Sequence, residues 1–238
     1  MKRTLTVLFG ISCLLFADED SQQKVKVVHT EVTDFPSGGL LRFRNSTGEL
    51  TVEGWDRPDI EITTVKSMRA VYASRDRERA ADKLDQVRIS VEHQGESLVI
   101  TTDFPRHRGL PLASPLRAGT SFDLEYHIKT PMDTRLAVDH DTGEVHVDNL
   151  TSDIRVIVLK GGITVRLPQE GHYGIDAKSD FGGATSDFPG HEKRTPWLFG
   201  HQFMQKTPDA HELYLRVGFG DITILKIQKP STPGPLTQ

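Results

Sequence analysis

TGEVHVDNLTSDIRVIVLKGGITVRL, Thr142–Leu167, carries two copies of one phrase: a glycine followed by alternating apolar and polar residues. The phrase recurs as TGELTV at Thr47–Val52 and FGDITI at Phe219–Ile224, with a weaker copy, FGGATS, from Phe181. Alternation with a period of two sends successive side chains to opposite faces, which is the signature of a half-buried strand. Glycine supplies the positive φ that a sharp corner requires. Gly48, Gly143, Gly162, Gly183 and Gly220 are therefore the expected corner residues. Gly143, Gly162 and Gly183 lie 19 and 21 residues apart. That spacing predicts an all-β chain, a single-stranded β-helix or β-solenoid-like stack of short strands, with a twisted β-sandwich as the alternative.

The same alternation extends outward in both directions. Val25-Lys26-Val27, Ile60-Glu61-Ile62, Val87–Val91, Phe122–Ile128 and Leu213–Val217 all read as strands. Tyr72–Gln86 breaks the pattern. Ser74 as a cap, early acids and an Ala80, Ala81, Leu84 stripe predict one short helix at Arg75–Asp85. Pro105–Thr120 and Pro189–Ala210 read as loops, and the Pro-, Thr- and Ser-rich tail 230–238 as disordered.

MKRTLTVLFGISCLLFADED opens the chain with a basic start, an uncharged apolar run and an acidic exit. This is the pattern of a secretory signal peptide over residues 1–17, leaving one β-repeat domain over 18–229. The apolar run is shorter than the roughly 20 residues of a membrane-spanning helix, so no stable span is expected after signal removal. Cys13, the sole cysteine, lies inside this leader, and the mature chain has neither disulfides nor a thiol nucleophile. Loss of Lys2 and Arg3 takes the net charge from −4 to −6. A mildly acidic chain without a basic, aromatic-laced stripe is not expected to bind nucleic acid.

Few motifs suggest chemistry. Asp139-His140-Asp141 looks like a ligand cluster, but on a strand His140 faces away from both aspartates, so no metal site is expected. Asp180-Phe181-Gly182 lacks every companion of the kinase motif it spells, and no G-x-S-x-G elbow occurs. Ser179-Asp180-Phe181 and Ser186-Asp187-Phe188 read as two similar corners with inward phenylalanines. Most aspartates sit at turns, where a carbohydrate-active enzyme has no use for them. No catalytic residue, metal or cofactor is assigned. The binding candidates are Trp197, Phe199, His201 and Phe203, aromatic and imidazole groups gathered on one predicted loop.

The arrangement as a whole resembles the bacterial "putative adhesin" family, exported proteins of largely unknown function. GWDRPDIEITTVK at Gly54–Lys66, VRISVEHQGESLVITTDFP at Val87–Pro105, Phe122–Pro168 and VGFGDITILK at Val217–Lys226 carry the resemblance. It implies a β-solenoid-like fold and a cell-envelope location, periplasmic or at the cell surface, and no reaction. The expected function is a non-enzymatic envelope protein that presents a rigid β surface to an unknown protein or polysaccharide. A self-assembling homo-oligomeric scaffold and a polysaccharide-active β-helix enzyme are the alternatives.

Overall fold

The structure is a computed structural model that describes residues 23–72, 76–104, 122–194 and 199–227. The predicted leader, the start of the predicted helix, the Pro105–Thr120 stretch, Trp197 and the tail lie outside the described residues. The chain runs β1 (Gln23–Asp34), β2 (Leu40–Thr47), β3 (Glu49–Trp55), β4 (Asp59–Tyr72), α1 (Arg77–Asp85), β5 (Arg88–Gln94), β6 (Ser97–Asp103) and β7 (Phe122–Pro131). It continues through β8 (Arg135–Thr142), β9 (Val145–Asp148), β10 (Ile154–Lys160), β11 (Ile163–Pro168), β12 (Tyr173–Phe181) and β13 (Ala184–Ser186). It ends with β14 (His191–Arg194), β15 (His201–Gln205), β16 (His211–Phe219) and β17 (Ile222–Ile227).

The fold is all-β, with two mixed sheets and one helix. Sheet A has eight strands in the order β1-β4-β7-β3-β9-β11-β17-β13. Sheet B has nine, in the order β14-β15-β12-β16-β10-β8-β2-β6-β5. Five strand pairs cross from sheet B to sheet A: β2/β3, β8/β9, β10/β11, β12/β13 and β16/β17. Each forms an arch. Neighbouring arches pair in parallel register on both sheets, for example Val156 with Val138 and Val165 with Val147.

The chain does not stack these arches in sequence order. The arch β12/β13 lies two places beyond β10/β11, and β16/β17 fills the place between them. A simple β-helix would add each coil next to the last. The expected loop at Pro189–Ala210 also takes another form: β14 and β15 make an antiparallel pair that extends sheet B beyond β12.

The alternating inward residues of both sheets join in one continuous core. Val156, Leu215, Leu41 and Phe43 of sheet B share it with Val165, Ile224, Leu50 and Val52 of sheet A. Burying each such side chain contributes about 1.5–3 kcal/mol. Helix α1 starts two residues later than predicted and buries Ala80 and Leu84 against Met68, beside the partly buried Val25 and Val27. Lys66 Nζ donates to Val87 O at 2.8 Å and to Leu84 O at 3.4 Å, covering carbonyls at the helix end.

Candidate functional site

Glycine lines the corner where all five arches turn. Gly48, Gly143, Gly161, Gly182 and Gly220 have φ of 101°, 131°, 138°, 148° and 138°. Two of these differ from expectation. The positive φ falls on Gly161 and Gly182, one residue before Gly162 and Gly183. The glycine amides run as a ladder: Gly143 N–H donates to Lys160 O, Gly161 N–H to Phe219 O and Gly220 N–H to Phe181 O, each at 2.9 Å. Packing of backbone on backbone leaves no room for Cβ along this column.

The residue just before each corner points outward. In register these are Thr47, Thr142, Lys160, Phe219 and Phe181. A parallel bridge between Gly182 and Gly200 sets Phe199 next in that line. Three Phe-Gly dipeptides, Phe181-Gly182, Phe199-Gly200 and Phe219-Gly220, thus converge on one corner. Phe181 and Phe219 stack at 4.7 Å with an interplanar angle of 4°, and they remain 40% and 53% exposed. Phe199 is 91% exposed. The expectation that Phe181 turns inward, as Phe188 does, is corrected: only Phe188 is buried.

A groove of about 370 Å³ runs beside this ridge on the outer face of sheet B. Its lining includes Asn45, Asp139, Asp141, Leu159, Lys178, Asp180, Arg216 and Gly218. Gly218 occupies an outward position of β16, and a side chain there would meet Leu159 O at 2.6 Å. The missing side chain opens the floor between β10 and β12. Asn45 enters the groove from a β-bulge between Phe43 and Ser46, with φ 54°; a bulge re-aims side chains in this way.

Two charged pairs lie along the groove. Lys178 Nζ pairs with Asp180 Oδ1 at 2.7 Å. Arg216 bonds Asp176 Oδ2 at 2.5 Å and Asp176 O at 2.7 Å. Burial pushes the Asp176 carboxyl up, but hydrogen bonds from Arg216 and Gln202 outweigh it and hold the group below the ordinary carboxylate range. The guanidinium groups of Arg155 and Arg216 lie 4.4 and 3.9 Å from the centre of the Tyr214 ring, two cation–π contacts on the strip beside the groove.

The Asp139-His140-Asp141 segment divides across the sheet. Both aspartates are exposed, and His140 is buried. His140 Nε2 donates to Gly48 O at 3.1 Å, because a carbonyl only accepts, and Nδ1 bonds Ser46 Oγ at 2.8 Å. Burial lowers the His140 pKa below its usual 6.5, against the raising effect of Gly48 O and Asp141. This Ser–His pair faces the interior, with both side chains buried, and it staples β2 to β8. Among the described residues, no group of three or more His, Cys, Asp or Glu could hold a metal ion.

The predicted aromatic set is divided. Trp197 is outside the described residues, His201 is half-buried on β15, and Phe203 is 3% exposed and part of the main core. Phe203 is therefore corrected from a surface candidate to a core residue. Sequence reading singled out Asp139, Asp141, Asp180 and Phe181 without assigning them a site, and it missed Leu159 and Phe219. The Phe-Gly dipeptide repeated at 181, 199 and 219 is the signal that could have found Phe219.

Sheet A carries a different surface. Thr30, Thr63, His127, Thr51, His146, Thr164, Thr223 and Thr185 form one row across all eight strands. At strand spacings near 4.8 Å the row spans about 33 Å. Asp148 and Arg166 sit in the next row, 2.7 Å apart, and burial pushes the Asp148 carboxyl up despite that cation. Trp55 lies farther along the same face under Arg57, 4.2 Å from its ring.

No family model matches the chain, and no curated protein matches it. Two solved structures are similar. One is a "putative cell adhesion protein" from Clostridium sporogenes, 14% identical with a TM-score of 0.47, covering 84% of this chain and 100% of its own. The other is a "putative adhesin" from Bacteroides fragilis, 11% identical with a TM-score of 0.30, covering 84% of this chain and 97% of its own. Among the described residues no helix is long and apolar enough to cross a membrane.

Proposed function

We propose that this chain is a non-enzymatic, exported binding module that docks a protein partner on the Phe219–Phe181–Phe199 corner and the adjoining groove. The observation that carries this is the convergence of three exposed Phe-Gly corners beside paired charges. Stacked rings present their edges as an apolar ridge, which suits insertion into a partner's pocket more than sugar stacking. Exposed aromatic and Arg groups held by rigid strands are the usual anchors of an interface. The leader-like pattern of residues 1–17 supports export, and the parallel arches offer a platform for the corner.

The test is capture from an envelope extract by the immobilised full chain and by a Phe181→Ala, Phe199→Ala, Phe219→Ala variant. A protease-sensitive partner held by the first and lost by the second, at equal thermal stability, is the expected result. Equal capture by both overturns the reading.

The Thr/His row of sheet A favours a second reading, an extended polysaccharide lying across the strands. Hydroxyl and imidazole groups at regular spacing suit a hydroxyl-rich polymer. Affinity electrophoresis of a Thr51→Val, His146→Val variant against soluble glycans tests it. Retardation of the parent chain, absent in the variant, is the expected result.

A further inference from the structure

The four outer strands of the two sheets differ sharply in length. Strands β13, β14 and β5 have 3, 4 and 7 residues, whereas β1 has 12. Strand β1 pairs with β4 on one side, and among the described residues no strand pairs with its other side. An unpaired edge of that length is a template for another strand. Most edges are blunted by charge: β14 reads His-Glu-Lys-Arg and is exposed throughout. Strand β1 instead exposes Val28 and Val32, at 54% and 47%. Its charges are also sorted, with Lys24 and Lys26 at one end and Glu31 and Asp34 at the other.

We infer that β1 is a homodimer edge, pairing antiparallel with β1 of a second copy about a two-fold axis at Thr30. A strand paired with itself in this sense is self-complementary when its two halves complement each other. Centring on Thr30 sets Lys26 against the second copy's Asp34, and Val28 against its Val32. On the opposite face, His29 meets Glu31. Thr30 then faces its own counterpart. Among the described residues, neither Lys26 nor Asp34 has an ion-pair partner within the chain. Moving the centre by one residue sets His29 or Glu31 against its own copy and separates the valines. Only the Thr30 centre satisfies the apolar and the charged positions together.

Paired this way, sheet A becomes continuous across the axis. The Thr/His row joins end to end through Thr30, doubling its reach. The corner ridge lies at the far end of sheet A, near β13, so the dimer carries two such ridges pointing away from the axis. The inference does not depend on what either surface binds.

The experiment uses the full chain in a Cys13→Ser background, by sedimentation velocity over a wide concentration range. The parent is expected to be a dimer. Lys26→Asp and Asp34→Lys each set like charges together twice per dimer and are expected to weaken association roughly tenfold. The double variant Lys26→Asp, Asp34→Lys restores both pairs and is expected to recover the parent affinity. Register is read separately by oxidative cross-linking: Thr30→Cys is expected to form an intermolecular disulfide rapidly, and Val32→Cys slowly. A monomeric parent whose Thr30→Cys variant does not cross-link overturns the inference. A dimer whose charge swap fails to restore affinity overturns it as well. Circular dichroism on each variant separates lost pairing from lost folding.

Discussion

A Cβ built on Gly161 would lie 1.8 Å from the carbonyl oxygen of Gly143. No side-chain rotamer relieves that overlap, because both sides are backbone. Gly161 also holds φ at 138°, a region L residues rarely adopt. Gly161→Ala is therefore expected to cost roughly 3 kcal/mol, from the strained dihedral and the forced separation of two arches. Gly95 is the matched comparison, with φ 65° and nothing within 4 Å of an added Cβ. Gly95→Ala is expected to cost about 1 kcal/mol. Urea denaturation of both variants measures the difference, and equal losses would refute the stacked-corner account.

The strands and the corners were legible in the sequence because both follow from local chemistry. A period of two specifies a buried face, and only glycine tolerates the corner φ. The choice within Gly161-Gly162 was not legible. Either residue can adopt positive φ, and the ladder bond from Gly161 N–H to Phe219 O decides which does. The order of arches was hidden for a related reason. Each presents the same Val, Ile and Leu faces to its neighbours, so spacing along the chain does not say that β16 separates β10 from β12. Phe181 and Phe188 shared one local phrase yet took opposite faces. Phe181 precedes a corner glycine, whereas Phe188 packs edge-on against Tyr173.

His140 links folding to pH. Its folded pKa is depressed by burial, so on acidification the unfolded chain takes up the proton first. The stabilising contribution is present above the unfolded value of 6.5 and is lost as pH falls through the lower folded value. Denaturation midpoints are expected to decline between pH 7.5 and pH 5, and His140→Gln is expected to flatten part of that decline. An unchanged slope in the variant would assign the acid sensitivity elsewhere.

Tyr126 is the alkaline counterpart. Burial raises its pKa to about 12, although the hydrogen bond with Thr102 opposes the shift. Its hydroxyl sits 2.7 Å from Thr102 Oγ1, and its ring meets Phe43 edge-on at 6.0 Å. The stabilisation from a neutral buried phenol is full below the ordinary tyrosine pKa of 10 and is lost as pH rises through the folded value. Ultraviolet titration is expected to show the Tyr126 phenol ionising near the unfolding edge. Thr102→Val leaves the phenol without its partner and is expected to cost about 1–3 kcal/mol.

Phe203 and Phe219 separate packing from contact. Both are phenylalanines at the same end of sheet B, yet Phe203 fills the main core and Phe219 meets solvent. Phe203→Ala opens a cavity among fixed neighbours and is expected to cost about 3–5 kcal/mol. Phe219→Ala removes one stacked ring at the surface. The lost ring pair is worth about 0.5–1.5 kcal/mol, and the exposed side chain leaves no cavity. The two therefore diverge in opposite directions. Phe203→Ala lowers the melting temperature sharply and leaves the corner ridge intact in whatever fraction remains folded. Phe219→Ala barely shifts melting but removes one end of the ridge and leaves Phe181 without its stacking partner. Differential scanning calorimetry with capture measurements on the same samples reads both effects. If Phe219→Ala destabilises the chain as much as Phe203→Ala, the stacked pair is part of the core and the corner is not a contact surface.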